Sequence, residues 1–423
     1  MSGVDLALPL TLRFKSDVGE HLFLSRHSRL YDLPPGAGEP SSALLEALSG
    51  PHAGEDPLDE ISQPNPQSLS LNVSNACNLA CGYCYAGRGA FEGRQPRGMT
   101  FEVARAAVDQ LLKGAEPTAP ITIGFMGGEP FVNRRLIHQV VAYAQAAAGG
   151  LDVRHSVTTN ATLLTPEDLD LLRSVPFAVT VSLDGGQEVH DAQRPTARGE
   201  GSWERAVQAV RPLLMRPGQA RVAARVTVTR DRLDLRAHFA NLAAVGFTEI
   251  GFSPLRSAPD GAGAMTEDDW PLYLDEISAL ASEELGRLKA GAPLRLTNLA
   301  VALKQIHRGA SSPYPCGAGG GYFSVAADGA WYACHRAIGE DAFRLGDNTG
   351  LDEARRLAFL RDRHVDGQTD CTGCWARYLC SGGCHHERDS RTGASCDFIR
   401  GWLQFCLKAY CELGPSNPGG PHE

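Results

Sequence analysis

The sequence predicts an α/β protein: a partial (β/α)6 TIM-like barrel, preceded by a small N-terminal α+β segment and followed by a C-terminal cysteine-rich domain. Strand-like and helix-like runs alternate about six times between residues 68 and 290, with the short connections of a parallel sheet. The run 177–183 is mostly apolar, as expected for a strand covered on both faces. From residue 312 onward the pattern changes to short strands, glycines and cysteines. An open doubly wound sheet is the alternative architecture for the repeats.

The N-terminal segment, residues 1–49, comes first in this order. It contains two strand-like runs, 10–15 and 21–25, and then a short helix at 43–48 that a preceding serine would cap. Residues 50–67 are rich in Pro, Gly, Asp and Ser and predict a linker.

The barrel segment, residues 68–311, alternates predicted strands with helices whose apolar residues recur at helical spacing. The predicted strands are 69–73, 121–125, 153–158, 177–183, 220–229 and 249–253. The predicted helices are 101–112, 136–148, 166–172, 203–214, 235–245 and 270–290. Residues 312–411 form the predicted cysteine-rich domain, and 412–423 a tail with the composition of a disordered segment.

Charge and hydropathy exclude two classes of protein. The chain has 40 Lys and Arg against 49 Asp and Glu, a formal net charge of −9, whereas a general nucleic-acid binder needs clustered cations for the phosphates. No apolar run approaches the ~20 residues of a membrane span. The N-terminus lacks a basic stretch followed by an apolar one, so no signal peptide is apparent and a cytoplasmic location is expected.

The cysteines are unevenly distributed along the chain. Three of the 12 lie within residues 77–84, and the other nine lie between 316 and 411. A chain of this length without an export signal does not need disulfides, and closely spaced cysteines can grip one metal or cluster. We therefore interpret both arrays as metal or cluster ligands, rather than as disulfides or buried reduced thiols.

The first array, Cys77-Asn-Leu-Ala-Cys81-Gly-Tyr-Cys84, directly follows the first predicted barrel strand. Loops after the strands of a parallel barrel lie on its catalytic face. Three thiolates on one loop can hold three irons of a 4Fe–4S cluster and leave the fourth iron open. An electron-transfer cluster is normally closed by four ligands, so three ligands indicate a catalytic cluster.

This C-x3-C-x-aromatic-C pattern resembles the radical S-adenosylmethionine (radical SAM) superfamily, with Tyr83 in the aromatic position. The resemblance implies that the open iron binds the amino and carboxylate groups of S-adenosylmethionine (AdoMet). It also implies the reaction: the reduced cluster donates one electron, the C5′–S bond breaks, and a 5′-deoxyadenosyl radical abstracts hydrogen from the substrate. An external one-electron reductant of the flavodoxin or ferredoxin type is then an expected partner.

Further motifs follow successive strands in the family's order. Met126-Gly-Gly-Glu-Pro130 resembles the GGEP motif that meets the AdoMet amino group, and its glycines would let the backbone approach a ligand closely. Thr158-Thr-Asn-Ala-Thr162 resembles the TNG ribose motif, except that Ala161 replaces Gly. Val181-Ser-Leu-Asp-Gly185 and Arg225 resemble the serine and the basic residue that meet the AdoMet carboxylate. The AdoMet-binding residues that the resemblance implies are Tyr83, Gly127, Gly128, Glu129, Thr159, Asn160, Ser182 and Arg225.

Ordinary structural roles are the alternatives for several polar residues near these motifs. Ser182 and Asp184 could end a strand in an Asx turn, and Arg225 could make an ordinary ion pair. The segment His190-Asp-Ala-Gln-Arg194 is a polar loop for which a structural role is preferred over a catalytic one.

The second array resembles the SPASM domain, a C-terminal extension of certain radical SAM enzymes, over residues 316–396. The resemblance implies two auxiliary clusters, and therefore three 4Fe–4S clusters in all. By position, the ligands of auxiliary cluster I would be Cys316, Cys334 and Cys384. Those of auxiliary cluster II would be Cys371, Cys374, Cys380 and Cys396.

Auxiliary cluster I is one ligand short in this assignment. Some relatives have an additional cysteine where this chain has Tyr322, so the cluster would have an open iron unless Cys406 or Cys411 closes it. The spacing of that pair places them on different faces of a helix, and ordinary helix cysteines are the preferred interpretation. A zinc site is the rival interpretation of Cys371-x2-Cys374, and the first array favours iron–sulfur instead.

SPASM enzymes mostly modify peptides or proteins, which implies a peptide maturase. In anaerobic sulfatase maturases an Asp base follows the second cysteine of the domain, whereas here His335 follows Cys334. This Cys-His-Arg segment resembles more closely the maturases of the sactipeptide, ranthipeptide and quinohemoprotein type, which form thioether cross-links in ribosomal peptides. His335 is then the candidate catalytic base, with packing beside the cluster as its alternative role.

Other functions share these motifs. A C–C cyclising peptide maturase and a formylglycine-generating sulfatase maturase are the alternative enzymes, and an iron–sulfur scaffold or electron carrier is the alternative without catalysis. The expected partner of an enzyme is a ribosomally made precursor peptide. Residues 1–49 could add the peptide's leader as a strand to the edge of their sheet, or could pack on the barrel as a plain extension.

Overall fold

A computed structural model describes residues 10–49, 58, 61–87, 98–258 and 261–414. Most of the predicted linker 50–67 and most of the predicted tail 412–423 lie outside these residues. The described strands are β1 (Thr11–Ser16), β2 (Gly19–Leu24), β3 (Arg29–Leu33), β4 (Ser68–Ser74), β5 (Ile121–Gly127), β6 (Val153–Thr159), β7 (Phe177–Ser182), β8 (Ala220–Val228), β9 (Ile250–Pro254), β10 (Tyr322–Val325), β11 (Trp331–Tyr332), β12 (Gly346–Asp347) and β13 (Gly350–Leu351).

The described α-helices match most of the predicted ones to within a few residues. They are α1 (Ser42–Ser49), α2 (Phe101–Gly114), α3 (Arg134–Ala147), α4 (Pro166–Ser174), α5 (Gln187–Gln193), α6 (Trp203–Met215), α7 (Leu235–Val245), α8 (Asp269–Lys289), α9 (Thr297–His307), α10 (Glu353–Arg363), α11 (Arg377–Cys380) and α12 (Gly393–Leu413). The helix α5 lies where the sequence predicts a polar loop.

The chain divides into two compact units. The barrel unit comprises residues 62–276 and 317–360, and the terminal unit comprises 1–61, 277–316 and 361–423. The sequence-based boundary at residue 312 differs from this division, because residues 317–360 belong with the barrel strands.

The sheet of the barrel unit has the order β11-β10-β4-β5-β6-β7-β8-β9. Strands β4 to β9 are all parallel and lie in sequence order. A doubly wound sheet reverses its strand order at a switch point, and this sheet does not, so the predicted partial (β/α)6 barrel is confirmed. Strand β10 adds to β4 in parallel, with Phe323 opposite Leu69, and both side chains are buried.

Local sequence explains where the barrel helices begin. Thr100 caps α2, since its side chain accepts a hydrogen bond from Val103 N. Thr165 and Asp168 form a capping box at the start of α4, and Pro166 follows Thr165 in the first turn. These caps satisfy backbone N–H groups that have no partner within a helix.

The terminal unit contains an antiparallel sheet of three strands in the order β1-β2-β3. Leu45 of α1 packs with Leu22 and Leu24 of β2 in a buried cluster. The long helix α12 contacts β1 and α9. The third strand, β3, has no counterpart among the predicted elements. Among the described helices of both units, none combines the length and the apolar character that crossing a membrane requires.

The barrel unit buries a histidine within its sheet. His155 of β6 is 1% exposed, and its ring centroid lies 6.2 Å from that of Phe125 and 5.3 Å from that of Phe177. Burial lowers the pKa of His155 to about 4, because the protonated ring would lose its hydration.

We predict that His155→Phe reduces the loss of stability in mild acid. As the pH falls below about 6.5 the unfolded chain takes up a proton at His155 while the folded chain does not, so folding becomes less favourable until about pH 4. This linkage amounts to about 2 kcal/mol between pH 7.5 and pH 5. Urea unfolding at the two pH values measures it, and equal losses in the variant and the parent would contradict the prediction.

Candidate active site

The residues predicted to bind AdoMet lie at the carboxyl ends of neighbouring strands of the barrel unit. The cysteine loop, residues 75–84, follows β4, and the glycine turn, residues 127–128, ends β5. Residues 159–162 follow at the end of β6. Ser182 of β7 and Arg225 of β8 are directly opposite each other in the sheet. The structure therefore brings the predicted segments to one edge of the barrel, where loops of such barrels carry active sites.

The three cysteines of the cysteine loop are not in disulfides and are half-buried. Leu79 N donates a hydrogen bond to Cys77 Sγ at 3.5 Å, and Cys84 N donates to Cys81 O at 3.3 Å. Burial, with smaller contributions from Glu129 and the other two thiols, raises the pKa of Cys77 to about 12. The loop thus collects three thiols that repel one another as thiolates.

This arrangement fits a 4Fe–4S cluster, because bound irons supply the positive charge that keeps coordinating thiols deprotonated. Each thiolate of such a cluster binds a different iron. A single metal ion instead requires several side chains that point to one position, which is a different geometry. In the part of the chain that the structure describes, no three His, Cys, Asp or Glu side chains form a group that could hold a single metal ion.

The glycine turn packs directly on the backbone of the cysteine loop. A Cβ atom on Gly127 would lie 2.3 Å from Ser74 O. A Cβ atom on Gly128 would lie 2.4 Å from Ala76 O. Gly128 N donates to Ser74 O at 2.8 Å. The close approach of these glycines to a ligand stays a prediction. In the structure their backbone lies against the end of β4 and the start of the cysteine loop.

Glu129 follows the glycine turn and is 1% exposed. Its carboxylate accepts hydrogen bonds from Phe131 N (3.1 Å), Thr159 Oγ1 (2.7 Å) and Asn160 N (2.8 Å). Burial raises the pKa of Glu129 to about 7 against the effect of these donors. The carboxylate therefore fixes the segment after β6 relative to the glycine turn.

Asn78, inside the cysteine loop, joins that loop to the segment after β6. Asn160 Nδ2 donates to Asn78 Oδ1 at 3.0 Å, and Asn78 Nδ2 donates to Thr162 Oγ1 at 2.7 Å. Thr162 N donates in turn to Asn160 Oδ1 at 3.0 Å. Sequence reasoning missed Asn78, although its place between two cysteine ligands is a signal that could have drawn attention to it.

Ala161 occupies the position at which the TNG motif has glycine. Its φ of 61° is left-handed, and the residue is fully buried. A left-handed conformation costs a residue with a Cβ roughly 1–2 kcal/mol. The backbone conformation that glycine allows is therefore kept here at the cost of strain.

Ser182 and Arg225 are placed to act together. The exposed side chain of Arg225 donates a hydrogen bond to Ser253 Oγ of β9. A guanidinium has five N–H donors, so the group beside Ser182 is suited to bind a carboxylate bidentately.

Tyr83 is held by two residues from outside the cysteine loop. Its hydroxyl donates to Asp184 Oδ2, and burial raises the pKa of Tyr83 well above its usual value. The Arg194 guanidinium carbon lies 5.2 Å from the centroid of the Tyr83 ring. The predicted aromatic residue of the cysteine motif is thus fixed by Asp184 and Arg194. From the sequence we predict only a turn and a polar loop for these two residues.

His335 lies in a short 3-10 turn directly after Cys334. Its Nδ1 is hydrogen-bonded to Tyr322 Oη at 2.9 Å, and Tyr322 Oη is also 2.7 Å from Ser70 Oγ. The ring of Tyr85, the residue after the last cysteine of the loop, lies edge-on to His335 at 6.3 Å between centroids. The candidate base is therefore next to the cysteine loop within the barrel unit.

The terminal unit brings together the cysteines predicted for auxiliary cluster II. Burial, with smaller contributions from the other three thiols, raises the pKa of Cys380 to about 11. Arg391 Nη1 lies 3.7 Å from Cys371 Sγ, and the Arg400 side chain is hydrogen-bonded to Cys374. Four free thiols beside two cations fit a negatively charged cluster with four thiolate ligands. The two arginines were not anticipated from the sequence.

The remaining cysteines are distributed over both units. Cys334 Sγ accepts a hydrogen bond from Arg336 N at 3.4 Å in the barrel unit. Cys316 and Cys384 belong to the terminal unit, and their grouping with Cys334 in auxiliary cluster I stays a prediction. Cys406 of α12 is fully buried, and burial alone raises its pKa, as for an ordinary core cysteine.

Comparison with known proteins identifies the family of the barrel unit. Residues 71–215 match the Radical SAM superfamily, and this match contains the cysteine loop, the glycine turn, the segment after β6 and Ser182. The chain carries a radical SAM domain. The radical SAM family implies a 4Fe–4S cluster and AdoMet as cofactors.

Relatives of the radical SAM chain include maturation enzymes. The chain is 29% identical over 340 residues to mycofactocin maturase MftC of Mycolicibacterium smegmatis. The match covers 75% of this chain and 78% of that one. It is 25% identical over 339 residues to the serine-type anaerobic sulfatase-maturating enzyme of Klebsiella aerogenes, with the same two shares. An uncharacterized protein of Methanocaldococcus jannaschii is 34% identical over 134 residues, and this chain spans less than half (44%) of its length.

Solved structures share the fold of this radical SAM chain. AdoMet-bound anSMEcpe has a TM-score of 0.70 at 20% identity, over 83% of this chain and 100% of that one. SuiB of Streptococcus suis bound to precursor peptide SuiA has a TM-score of 0.52 at 14% identity, over 78% of this chain and 74% of that one. At these identities the likeness shows the fold of radical SAM enzymes.

We predict that Ala161→Gly changes the free energy of unfolding of this radical SAM protein by less than about 1 kcal/mol. Relief of the left-handed strain, about 1–2 kcal/mol, offsets the lost burial of a methyl group and the greater freedom of unfolded glycine. Ala107→Gly in α2 is the matched control, since Ala107 is also buried but helical, and it should cost about 2 kcal/mol. Urea unfolding measures both, and equal costs would contradict the prediction.

Proposed function

We propose that this chain is a radical SAM peptide maturase that installs a cross-link, preferably a thioether, in a ribosomally made precursor peptide. The observation that carries the proposal is the three-cysteine loop held against the glycine turn at the carboxyl edge of the barrel. The similarity to mycofactocin maturase and to a sulfatase-maturating enzyme supports a peptide or protein substrate.

The radical-generating site would use residues of the barrel unit. Cys77, Cys81 and Cys84 would hold the catalytic cluster, and Ser182 and Arg225 would bind the carboxylate of AdoMet. When bound, the cluster and AdoMet supply a 5′-deoxyadenosyl radical, and auxiliary clusters supply an acceptor for one electron.

The chain's polar contacts around this site orient the ligand rather than react with it. Glu129 is buried with three donors on its carboxylate, so its contribution is to fix the backbone that faces AdoMet. Asn160 lies between Glu129 and Asn78 in the same network. Preorganisation of this kind lowers the cost of placing a reactant near the reacting atom.

A thioether forms when a C–H and an S–H of the peptide are replaced by a C–S bond. The peptide loses one hydrogen atom to the adenosyl radical, and the second hydrogen leaves as a proton and an electron. His335 is the proposed acceptor of that proton, because its Nδ1 is oriented by Tyr322 and imidazole accepts protons near neutral pH. Formylglycine formation would use a protein substrate instead, and C–C cyclisation would leave the peptide's thiols intact.

The N-terminal part of the terminal unit would dock the leader of the peptide. The strand β3 is at the edge of its sheet, since the order is β1-β2-β3 and α12 contacts β1. An edge strand presents backbone N–H and C=O groups to which an extended peptide can add. The fold similarity to SuiB, solved with its precursor peptide SuiA bound, supports a precursor peptide as the partner.

We predict that the anaerobically reconstituted protein contains roughly 12 Fe per chain and, with reductant and AdoMet, forms 5′-deoxyadenosine. Cys81→Ala should lower the iron to roughly 8 per chain and abolish 5′-deoxyadenosine. Cys380→Ala should lower the iron equally but leave some 5′-deoxyadenosine formation, because it removes an auxiliary ligand only. Cys406→Ala is the control and should retain all the iron. About 4 Fe in the parent would refute both auxiliary clusters.

The same reaction, run with the precursor peptide, separates the candidate functions. A thioether product lacks two hydrogen atoms and has one thiol fewer for alkylation. A product that lacks two hydrogens but keeps its alkylatable thiols would contradict the thioether and indicate C–C cyclisation. Conversion of a cysteine or serine of a sulfatase peptide into an aldehyde would indicate the sulfatase-maturing function.

We predict that one of the two variants Leu30→Pro and Tyr31→Pro weakens leader binding at least tenfold while the variant still unfolds in one cooperative transition. Adjacent residues of an edge strand direct their N–H groups to opposite sides, so only one of the two faces the open edge. Fluorescence anisotropy of a labelled leader peptide measures the affinity, with a scrambled leader as the control. Parental affinity in both variants would rule out docking on β3.

A further inference from the structure

The polar segment 190–196 lies directly against the cysteine loop. Ala80 N donates to Pro195 O at 2.7 Å, and Gly82 N donates to Gln193 O at 3.3 Å. Leu79 forms an antiparallel bridge with Thr196. The backbone that carries Cys81 is therefore supported along its length by this segment.

Within this segment, Arg194 forms a buried ion pair. The residue is 8% exposed; its Nε donates to Asp184 Oδ2 at 2.8 Å and its Nη2 to Oδ1 at 3.2 Å. Asp184 is fully buried and also accepts from Thr227 N at 2.9 Å and from the Tyr83 hydroxyl. Four donors thus fix the carboxylate, and the carboxylate fixes the guanidinium.

Two side chains lock the geometry from the other side. His190 Nδ1 accepts from Asp184 N at 3.2 Å, and Ser202 Oγ donates to Arg194 O at 2.6 Å. Because the single hydroxyl hydrogen of Ser202 is used in this way, His190 Nε2 must donate to Ser202 Oγ, 3.0 Å away. Every polar atom in this chain of contacts has a consistent donor or acceptor role.

The ion pair presents its cationic end to the cysteine loop. Arg194 lies between Gln193 and Pro195, whose carbonyl oxygens accept hydrogen bonds from Gly82 N and Ala80 N, the amides on either side of Cys81. The Arg194 guanidinium also lies over the Tyr83 ring, at 5.2 Å. The guanidinium therefore lies at the part of the loop that carries Cys81 and Tyr83.

We propose that Arg194 is a positioning residue of the radical SAM cluster: held by Asp184, its guanidinium places a fixed positive charge beside the Cys81 ligand and makes the cluster easier to reduce. This inference rests on the proposed function, because it requires a cluster on Cys77, Cys81 and Cys84. One-electron reduction adds a negative charge to the cluster, and a fixed cation in a site of low dielectric stabilises that charge. Reduction precedes AdoMet cleavage, so the charge acts on the first step.

The test removes the charge while keeping the pair neutral. Arg194→Gln alone would leave the Asp184 carboxylate buried without its cation, so we combine it with Asp184→Asn. The matched control is Asp152→Asn with Arg154→Gln, which neutralises an exposed ion pair at the amino end of β6. Both double variants change the same numbers of charges.

The measurement is a redox titration of the holoenzyme followed by electron paramagnetic resonance, using the part of the reduced signal that AdoMet alters. At one fixed solution potential, the ratio of reduced to oxidised cluster should fall about tenfold in the Asp184→Asn/Arg194→Gln variant, which corresponds to about 59 mV for a one-electron couple. The control should match the parent. An unchanged ratio at parental iron content would overturn the proposal.

Arg194→Lys provides a second measurement that does not depend on the neutral variant retaining its cluster. It keeps the charge but loses the two-point contact with Asp184, so the ratio should stay within about threefold of the parent. A tenfold fall in this variant would show that geometry rather than charge matters and would overturn the proposal. A parent protein with no AdoMet-sensitive signal would instead refute the proposed function.

Discussion

The backbone contact between the glycine turn and the cysteine loop is the constraint on which the rest of the site depends. A Cβ on Gly127 would lie 2.3 Å from Ser74 O at the end of β4, and a Cβ on Gly128 would lie 2.4 Å from Ala76 O of the loop. Neither residue can therefore carry a side chain without separating the two segments. Glu129 N then donates to Ala76 O at 2.9 Å, which directs the Glu129 side chain inward. One contact thus sets the spacing of β4, β5 and the ligand loops at their ends.

Two buried carboxylates extend this constraint to the neighbouring loops. Glu129 and Asp184 are each almost fully buried and each accept hydrogen bonds from donors on different segments. An unpaired buried carboxylate would cost several kcal/mol. The donors therefore stay beside it, and the loops that carry them are held in place. The two carboxylates therefore organise the loops, and the exposed guanidinium of Arg225 is left to meet a ligand.

Local patterns predicted most of the barrel, and contacts distant in sequence account for what they missed. The parallel strands and their helices follow from periodicity, and the order of the ligand motifs follows from the residues themselves. The pairing of β10 with β4 joins residues about 250 positions apart, which no local pattern reports. Helix α5 has no apolar face that would predict a helix. Its buried residue is His190, which is held by polar partners from elsewhere in the fold, such as Ser202.

Tyr322 connects two features that the sequence presents as separate. The resemblance to the SPASM domain places it at the position of an additional cysteine, and in the structure its hydroxyl is bonded to His335 and to Ser70 of β4. A cysteine at this position could not span that distance to orient an imidazole, because its side chain is much shorter. In the predicted assignment of auxiliary cluster I, the residue at the position of the additional cysteine is thus also the residue that holds His335.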